Sequence, residues 1–333
     1  MRLENIVALT NARLVSQPSI TSVEGIAFTA RKVKRGNLFI ALDHAEIEEA
    51  VLNGAYGIVF QERTQISDPE IAWIKVDSVD NALLRLLRFH LMEKELDVYS
   101  CDLLTLKLAA QLPSVSDFFV LNNSLQEAAY KLWELEPKSL LLFSPELSNP
   151  DLFVSSKTIP SIKESGITIM EQTLFETSFI FDNIYYERQL LSPFFIPYLD
   201  KLLSFLKEKK VIFRIRSFNA IDHFRPIFTN HDFQIKEFGA SDRVLIFEPD
   251  ISLVMSQIDF LRSEAAWAKI IYIVPDTMKI ERDEPAIFTY GSQQDIIEIL
   301  KNNTFHFALV AAQESSLLEH PHFHRQNKQL TLF

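Results

Sequence analysis

The chain has 333 residues, 47% of them hydrophobic, and a formal net charge of −11 at neutral pH. That length suits two or three domains with proper cores. The acidic balance excludes a broad nucleic-acid surface, which needs clustered Lys and Arg to displace counterions. A single cysteine, Cys101, excludes an intrachain disulfide. No apolar run approaches the roughly 20 residues of a membrane span; residues 190–206 come nearest, but Ser192, Pro193, Pro197, Asp200 and Lys201 interrupt them. Glu4 and Asn5 break any leader-like start, so the expectation is a cytoplasmic protein with no direct contact to nucleic acid or membrane.

The first 95 residues alternate cleanly between strand and helix. Residues 37–42 read as a short strand, and 45–52 as a helix closed by Asn53-Gly54. Residues 56–60 and 72–76 are apolar strands. Residues 80–92 form an amphipathic helix with Leu83, Leu84, Leu87 and Leu91 on one face. The middle is less regular. Strands are expected at 118–121 and 140–143 around a helix at 125–135, a loop at Pro160 to Gly166, a strand at 179–181, and a helix at 193–209 followed by the stretch 211–215. The last third is regular again, with strands at 244–247, 269–274, 287–290 and 305–311. Its helices fall at 252–262, carrying Leu253, Val254, Ile258 and Leu261, and at 294–301. Strands alternating with helices imply parallel, doubly wound sheets. The expected domains are 1–95, 96–210 and 211–328, with 329–333 as a separate tail.

Only seven glycines occur in the chain, against an ordinary usage of about 7%. Glycine is what lets backbone wrap closely round phosphates, so a nucleotide-hydrolysing enzyme is disfavoured.

One stretch reads as a signature. Thr29-Ala30-Arg31 is followed by Gly36-Asn37-Leu38-Phe39-Ile40-Ala41, then Ile47-Glu48-Glu49-Ala50 and Asn53-Gly54-Ala55; Val76-Asp77 and Ala82-Leu83 continue the order. This resembles the first domain of the bacterial Mur ligases, in particular those adding the third residue or the terminal dipeptide to the peptidoglycan precursor. There the domain opens with Asp-Ser-Arg, then Gly-Asp-Leu-Phe-Val-Ala, then a helix ending in Gly-Ala. The resemblance covers about residues 22 to 90. It implies a multi-domain α/β fold and a site for the UDP end of a UDP-N-acetylmuramoyl peptide, carried over to Thr29, Arg31, Asn37, Asp43 and His44. Two departures stand out. Ala30 lacks the family's hydroxyl, and the glycine-containing loop after Ala-Leu is cut to Asp43-His44.

A Mur ligase also opens its second domain with a Gly-rich loop ending Gly-Lys-Thr, whose backbone N–H groups cradle phosphates. At that place this chain reads Tyr99-Ser100-Cys101-Asp102-Leu103-Leu104-Thr105-Leu106-Lys107, and no glycine occurs between Gly57 and Gly166. Mg-ATP is left without an evident binding loop and no cofactor is expected. Val244 to Phe247 running into Glu248-Pro249-Asp250 is a weaker echo of the family's strand, Asn-Pro-Asp-like turn and helix.

The chain stops at Gln329-Leu330-Thr331-Leu332-Phe333. This resembles the Gln-Leu-x-Leu-Phe pentapeptide by which bacterial replication and repair proteins dock on the sliding clamp. Leu332 and Phe333 would fill an apolar pocket and Gln329 would bond at its rim, with Leu330 between them; a final strand burying Leu330 and Leu332 is the competing reading. His320, His322 and His324 alternate as metal ligands sometimes do, but Pro321 and the terminal position favour a solvated tail. Cys101 has no basic neighbour to activate it. Asp222, His223, Glu248 and Asp250 supply acid–base groups, with nothing in the sequence to bring them together, so surface and turn roles are expected. The functional expectation is a non-catalytic Mur-ligase-like protein that binds a UDP-N-acetylmuramoyl peptide or an active Mur ligase. The alternatives are a divergent active ligase and an adaptor to the sliding clamp.

Overall fold

A computed structural model describes residues 1–113, 118–162, 164–241, 243–278, 286–314 and 317. The chain divides into two compact units, Met1–Ser161 with Ser204–Arg214, and Ile162–Leu203 with the chain from Ile215 on. Among the described residues no helix is long and apolar enough to cross a membrane.

The first unit opens with α1 (Leu3–Thr10) and a five-stranded sheet made of β1 (Arg13–Leu14), β2 (Gly25–Ala27), β3 (Asn37–Ile40), β4 (Gly57–Phe60) and β5 (Ala72–Lys75). The order is β1-β5-β4-β3-β2, with β2 to β5 parallel and β1 antiparallel at the edge. Helices α2 (Ile47–Leu52) and α3 (Val79–Glu93) follow β3 and β5. Successive side chains of a strand point to opposite faces, and both faces here are covered. Leu38, Ile40, Val59, Ala72 and Ile74 enter one core, while Phe39, Ile58, Phe60 and Trp73 enter the other. That is why these strands read as unbroken apolar runs rather than as alternation. Leu86, not Leu84, joins Leu83, Leu87 and Leu91 on the buried face of α3.

A second sheet of the same unit contains β6 (Asp97–Ser100), β7 (Phe118–Leu121), β8 (Leu140–Phe143) and β9 (Lys157–Thr158), with α4 (Leu103–Ala109) and α5 (Leu125–Glu134). Its order is β7-β8-β6-β9, all parallel. One core runs from Leu3 and Ile6 of α1 through α3 to Ala129 and Leu132 of α5 and Leu141 and Phe143 of β8.

The second unit starts with three antiparallel strands, β10 (Ile167–Gln172), β11 (Thr177–Phe181) and β12 (Ile184–Gln189), of which the sequence reading found only the middle one. α6 (Ile196–Glu208) follows, its residues up to Leu203 in this unit and those from Ser204 on in the first. Residues 211–215 form no strand. The last sheet has the order β13-β14-β17-β15-β16, from β13 (Arg225–Thr229), β14 (Arg243–Phe247), β15 (Ile270–Pro275), β16 (Ile287–Tyr290) and β17 (Phe307–Val310). Four of its strands are parallel and β13 is antiparallel at the edge. Asp250 caps α7 (Ile251–Glu264), and a capping box of Ser292 and Asp295 opens α8 (Gln293–Asn302). The α/β class with parallel sheets expected from the alternating pattern is the one observed.

Candidate functional site

In open parallel sheets, ligands bind beyond the carboxyl ends of the strands. Three such edges bear on function. The first belongs to the N-terminal sheet. Thr29 and Arg31 follow the end of β2, and Asp43 and His44 follow the end of β3, so the fold brings these four to one edge. Asn37 begins β3 and therefore lies at the opposite end of that strand, where its Oδ1 accepts from the Lys34 N–H at 2.8 Å.

The backbone donors of the Thr29 loop are already engaged. The Phe28 and Thr29 N–H groups donate to the Tyr130 hydroxyl at 2.9 and 3.2 Å, and the Ala30 N–H donates to Glu46 Oε2 at 2.8 Å. Lys32 stands over the Tyr130 ring, 4.0 Å from its centroid. Asp43 spends one carboxylate oxygen on the Ala45 N–H at 2.9 Å, capping the turn that carries His44. Beside His44 is a cleft of about 90 Å³, lined also by Gln61, Glu62, Asp80 and Gln126 and by no Lys or Arg. Ligand sites for drug-sized molecules run to about 300 Å³ or more, and two carboxylates repel a diphosphate. Tyr130 and Glu46 were not legible as partners of this loop, since Tyr130 lies about a hundred positions away.

The second edge is the step from β6 to α4, where the Mur resemblance requires a phosphate loop. Only Cys101 and Asp102 separate strand from helix. Cys101 is buried and its N–H donates to the Phe143 carbonyl at 2.9 Å, so the backbone keeps the direction of the strand. Asp102 caps the helix: one carboxylate oxygen accepts from the Thr105 N–H at 2.8 Å and the other from the Thr105 hydroxyl at 2.9 Å. The Leu103 N–H donates to Glu146 Oε1 at 3.3 Å. Two carboxylates thus occupy the place where a phosphate would meet a helix N-terminus. Lys157 and Lys209 do not offset them. Both bind Asp97 at the other end of β6, at 3.1 and 2.8 Å. Burial pushes the Asp97 carboxyl up, but these two lysines outweigh it and hold it below the usual carboxylate range.

The third edge corrects the sequence reading. His223 and Glu248, for which surface and turn roles were expected, meet at the carboxyl end of β14, both buried, with Nδ1 2.6 Å from Glu248 Oε1. Glu248 Oε1 also accepts from the Asp250 N–H at 2.9 Å, while Oε2 accepts from the Phe224 N–H at 3.1 Å and from the Gln257 amide. These four partners fill the hydrogen-bonding capacity of a carboxylate and fix Glu248 in place. The pair ties the loop before β13 to the start of α7. The residues Gln329, Leu330, Leu332 and Phe333, with His320, His322 and His324, lie outside the described residues.

No family model and no curated protein matches the chain. A solved structure of MurF from Acinetobacter baumannii matches with a TM-score of 0.50 at 11% identity, over 96% of this chain and 97% of that one. The fold is Mur-ligase-like. Two further solved structures match at a TM-score of 0.48. One is the UDP-N-acetylmuramoylalanyl-D-glutamyl-2,6-diaminopimelate–D-alanyl-D-alanyl ligase from Acinetobacter baumannii, at 10% identity over 96% of each chain. The other is the MurF ligase of Thermotoga maritima in complex with ADP, at 12% identity over 89% of this chain and 96% of that one.

Proposed function

We propose that this protein acts by binding rather than by ATP-driven ligation, as a non-catalytic, cytoplasmic Mur-ligase-like protein tied to peptidoglycan-precursor metabolism. The observation that carries the reading is the step from β6 to α4. A ligase of this kind needs backbone N–H groups and a lysine turned toward the ATP phosphates, and here Asp102 and Glu146 take up N–H groups of that step. Anionic caps are favourable at a helix N-terminus, but they exclude a second anion by like-charge repulsion. The same geometry leaves a divergent active ligase without support.

Between the two ligands of the proposal, a protein partner such as an active Mur ligase fits better than the UDP-N-acetylmuramoyl peptide. The cleft beside His44 is small and acidic, and Tyr130 and Glu46 take up donors of the Thr29 loop. Calorimetric titration of the full chain with Mg-ATP, then with a UDP-N-acetylmuramoyl peptide, tests this. The expected result is no heat from ATP; saturable heat would overturn the non-catalytic reading. Precursor binding would reverse the preference for a protein partner. The terminal Gln329-Leu330-Thr331-Leu332-Phe333 supports a second reading, an adaptor to the sliding clamp.

A further inference from the structure

The second unit holds a cleft of about 710 Å³, within the range of small-molecule sites. It is not at the carboxyl edge of the last sheet. Val244 and Phe307, at the amino ends of β14 and β17, contribute to its wall, together with the turn between β10 and β11. The wall is largely aromatic. Phe175 sits at its centre, with ring centroids 5.9 Å from Phe228, 6.5 Å from Phe238 and 6.1 Å from Phe307. Trp267 extends it, 6.0 Å from Phe307 and 5.8 Å from His306. Trp267 is 74% exposed and Phe238 48% exposed, so large rings stand open at the mouth rather than filling a core.

The charged groups of the lining are both carboxylates, Glu176 and Glu264, with no Lys or Arg. Arg188 meets Glu176 at 3.4 Å from an exposed position, a weak bridge. Glu264 accepts from the Gln172 amide at 2.9 Å, and among the described residues no lysine or arginine forms an ion pair with it. His306 Nδ1 accepts from the Lys269 N–H at 2.9 Å, which leaves its other ring nitrogen to carry the hydrogen in the neutral form. Ring faces are negative through their quadrupole and attract ammonium and guanidinium groups. Rings and carboxylates together therefore favour a cation and repel an anion.

We infer that this cleft binds a small organic cation, an ammonium or guanidinium group on an apolar body, against the rings of Trp267 and Phe238 with Glu264 as counter-charge. The assignment is independent of the phosphate-loop argument. The test is a titration of the full chain with choline and with its uncharged isostere 3,3-dimethylbutan-1-ol, followed through the indole N–H resonances in NMR spectra. A saturable shift of the Trp267 signal is expected, with choline bound about tenfold more tightly than the isostere. Trp267→Ala, which removes the reporting indole, should abolish the heat of choline binding in a calorimetric titration that the unaltered chain shows. Glu264→Gln should weaken choline several-fold and leave the isostere unchanged. Both side chains are exposed, and circular dichroism checks that the variants fold. Equal binding of choline and isostere, or no saturable shift of Trp267, overturns the inference.

Discussion

Replacing Glu248 by alanine removes the acceptor for His223, Gln257 and two backbone N–H groups at once. Breaking a buried charged or hydrogen-bonded network by deleting one partner typically costs about 3–5 kcal/mol. Urea unfolding should therefore show a loss of that order for Glu248→Ala, whereas Asp250→Ala, which removes an exposed helix cap, should cost about 1 kcal/mol. Equal effects would mean that Glu248 is no more than a turn residue. At this scale the sequence was least informative. His223 and Glu248 are 25 positions apart, and their meeting depends on β13 turning back antiparallel against β14. A strand followed by Glu-Pro-Asp marks a turn in any α/β chain and says nothing of a buried partner.

At the scale of elements, the longer capped helices and mainly apolar strands were legible, and short helices or strands rich in polar residues were not. The helices α3, α5, α7 and α8 and the strands β3, β4, β5, β7, β8 and β14 to β17 lie close to their expected positions, because both hydrophobic period and caps are local properties, whereas no strand was expected at β6. β10 was missed for a physical reason: five of its six residues are exposed, Ile169 and Met170 among them, so no alternation survives. Its neighbour did carry a signal. Asp182-Asn183 joins β11 to β12 in a two-residue turn with φ of 50° and 63°, a geometry that Asn, Asp and Gly tolerate. Asn183→Gly is expected to keep or slightly raise stability. Asn183→Val, a branched residue forced into the left-handed region, should lose about 1–2 kcal/mol, read as a lower urea midpoint. A neutral Val variant would show that the turn relaxes to another type.

At the scale of the whole molecule, the role of the terminal pentapeptide is tested by truncation. Deleting residues 329–333 should abolish binding to a bacterial sliding clamp, measured by fluorescence anisotropy, and leave the thermal midpoint and choline binding unchanged. Retained clamp binding, or none by the full chain, would sink the adaptor reading; a lowered midpoint would support Leu330 and Leu332 as core residues.

The amino-acid sequence by itself determined the α/β class, through apolar strands alternating with amphipathic helices. It also determined the lack of a glycine loop between Gly57 and Gly166, since a missing residue type needs no fold to be noticed. Only the tertiary structure decided what surrounds the candidate sites. It put the Tyr130 hydroxyl on the Thr29 loop, joined His223 to Glu248, and gathered Phe175, Phe228, Trp267 and Phe307 round one cleft. Periodicity and capping act within a few residues along the chain, whereas these contacts join positions that only the strand order and the packing of each unit bring together.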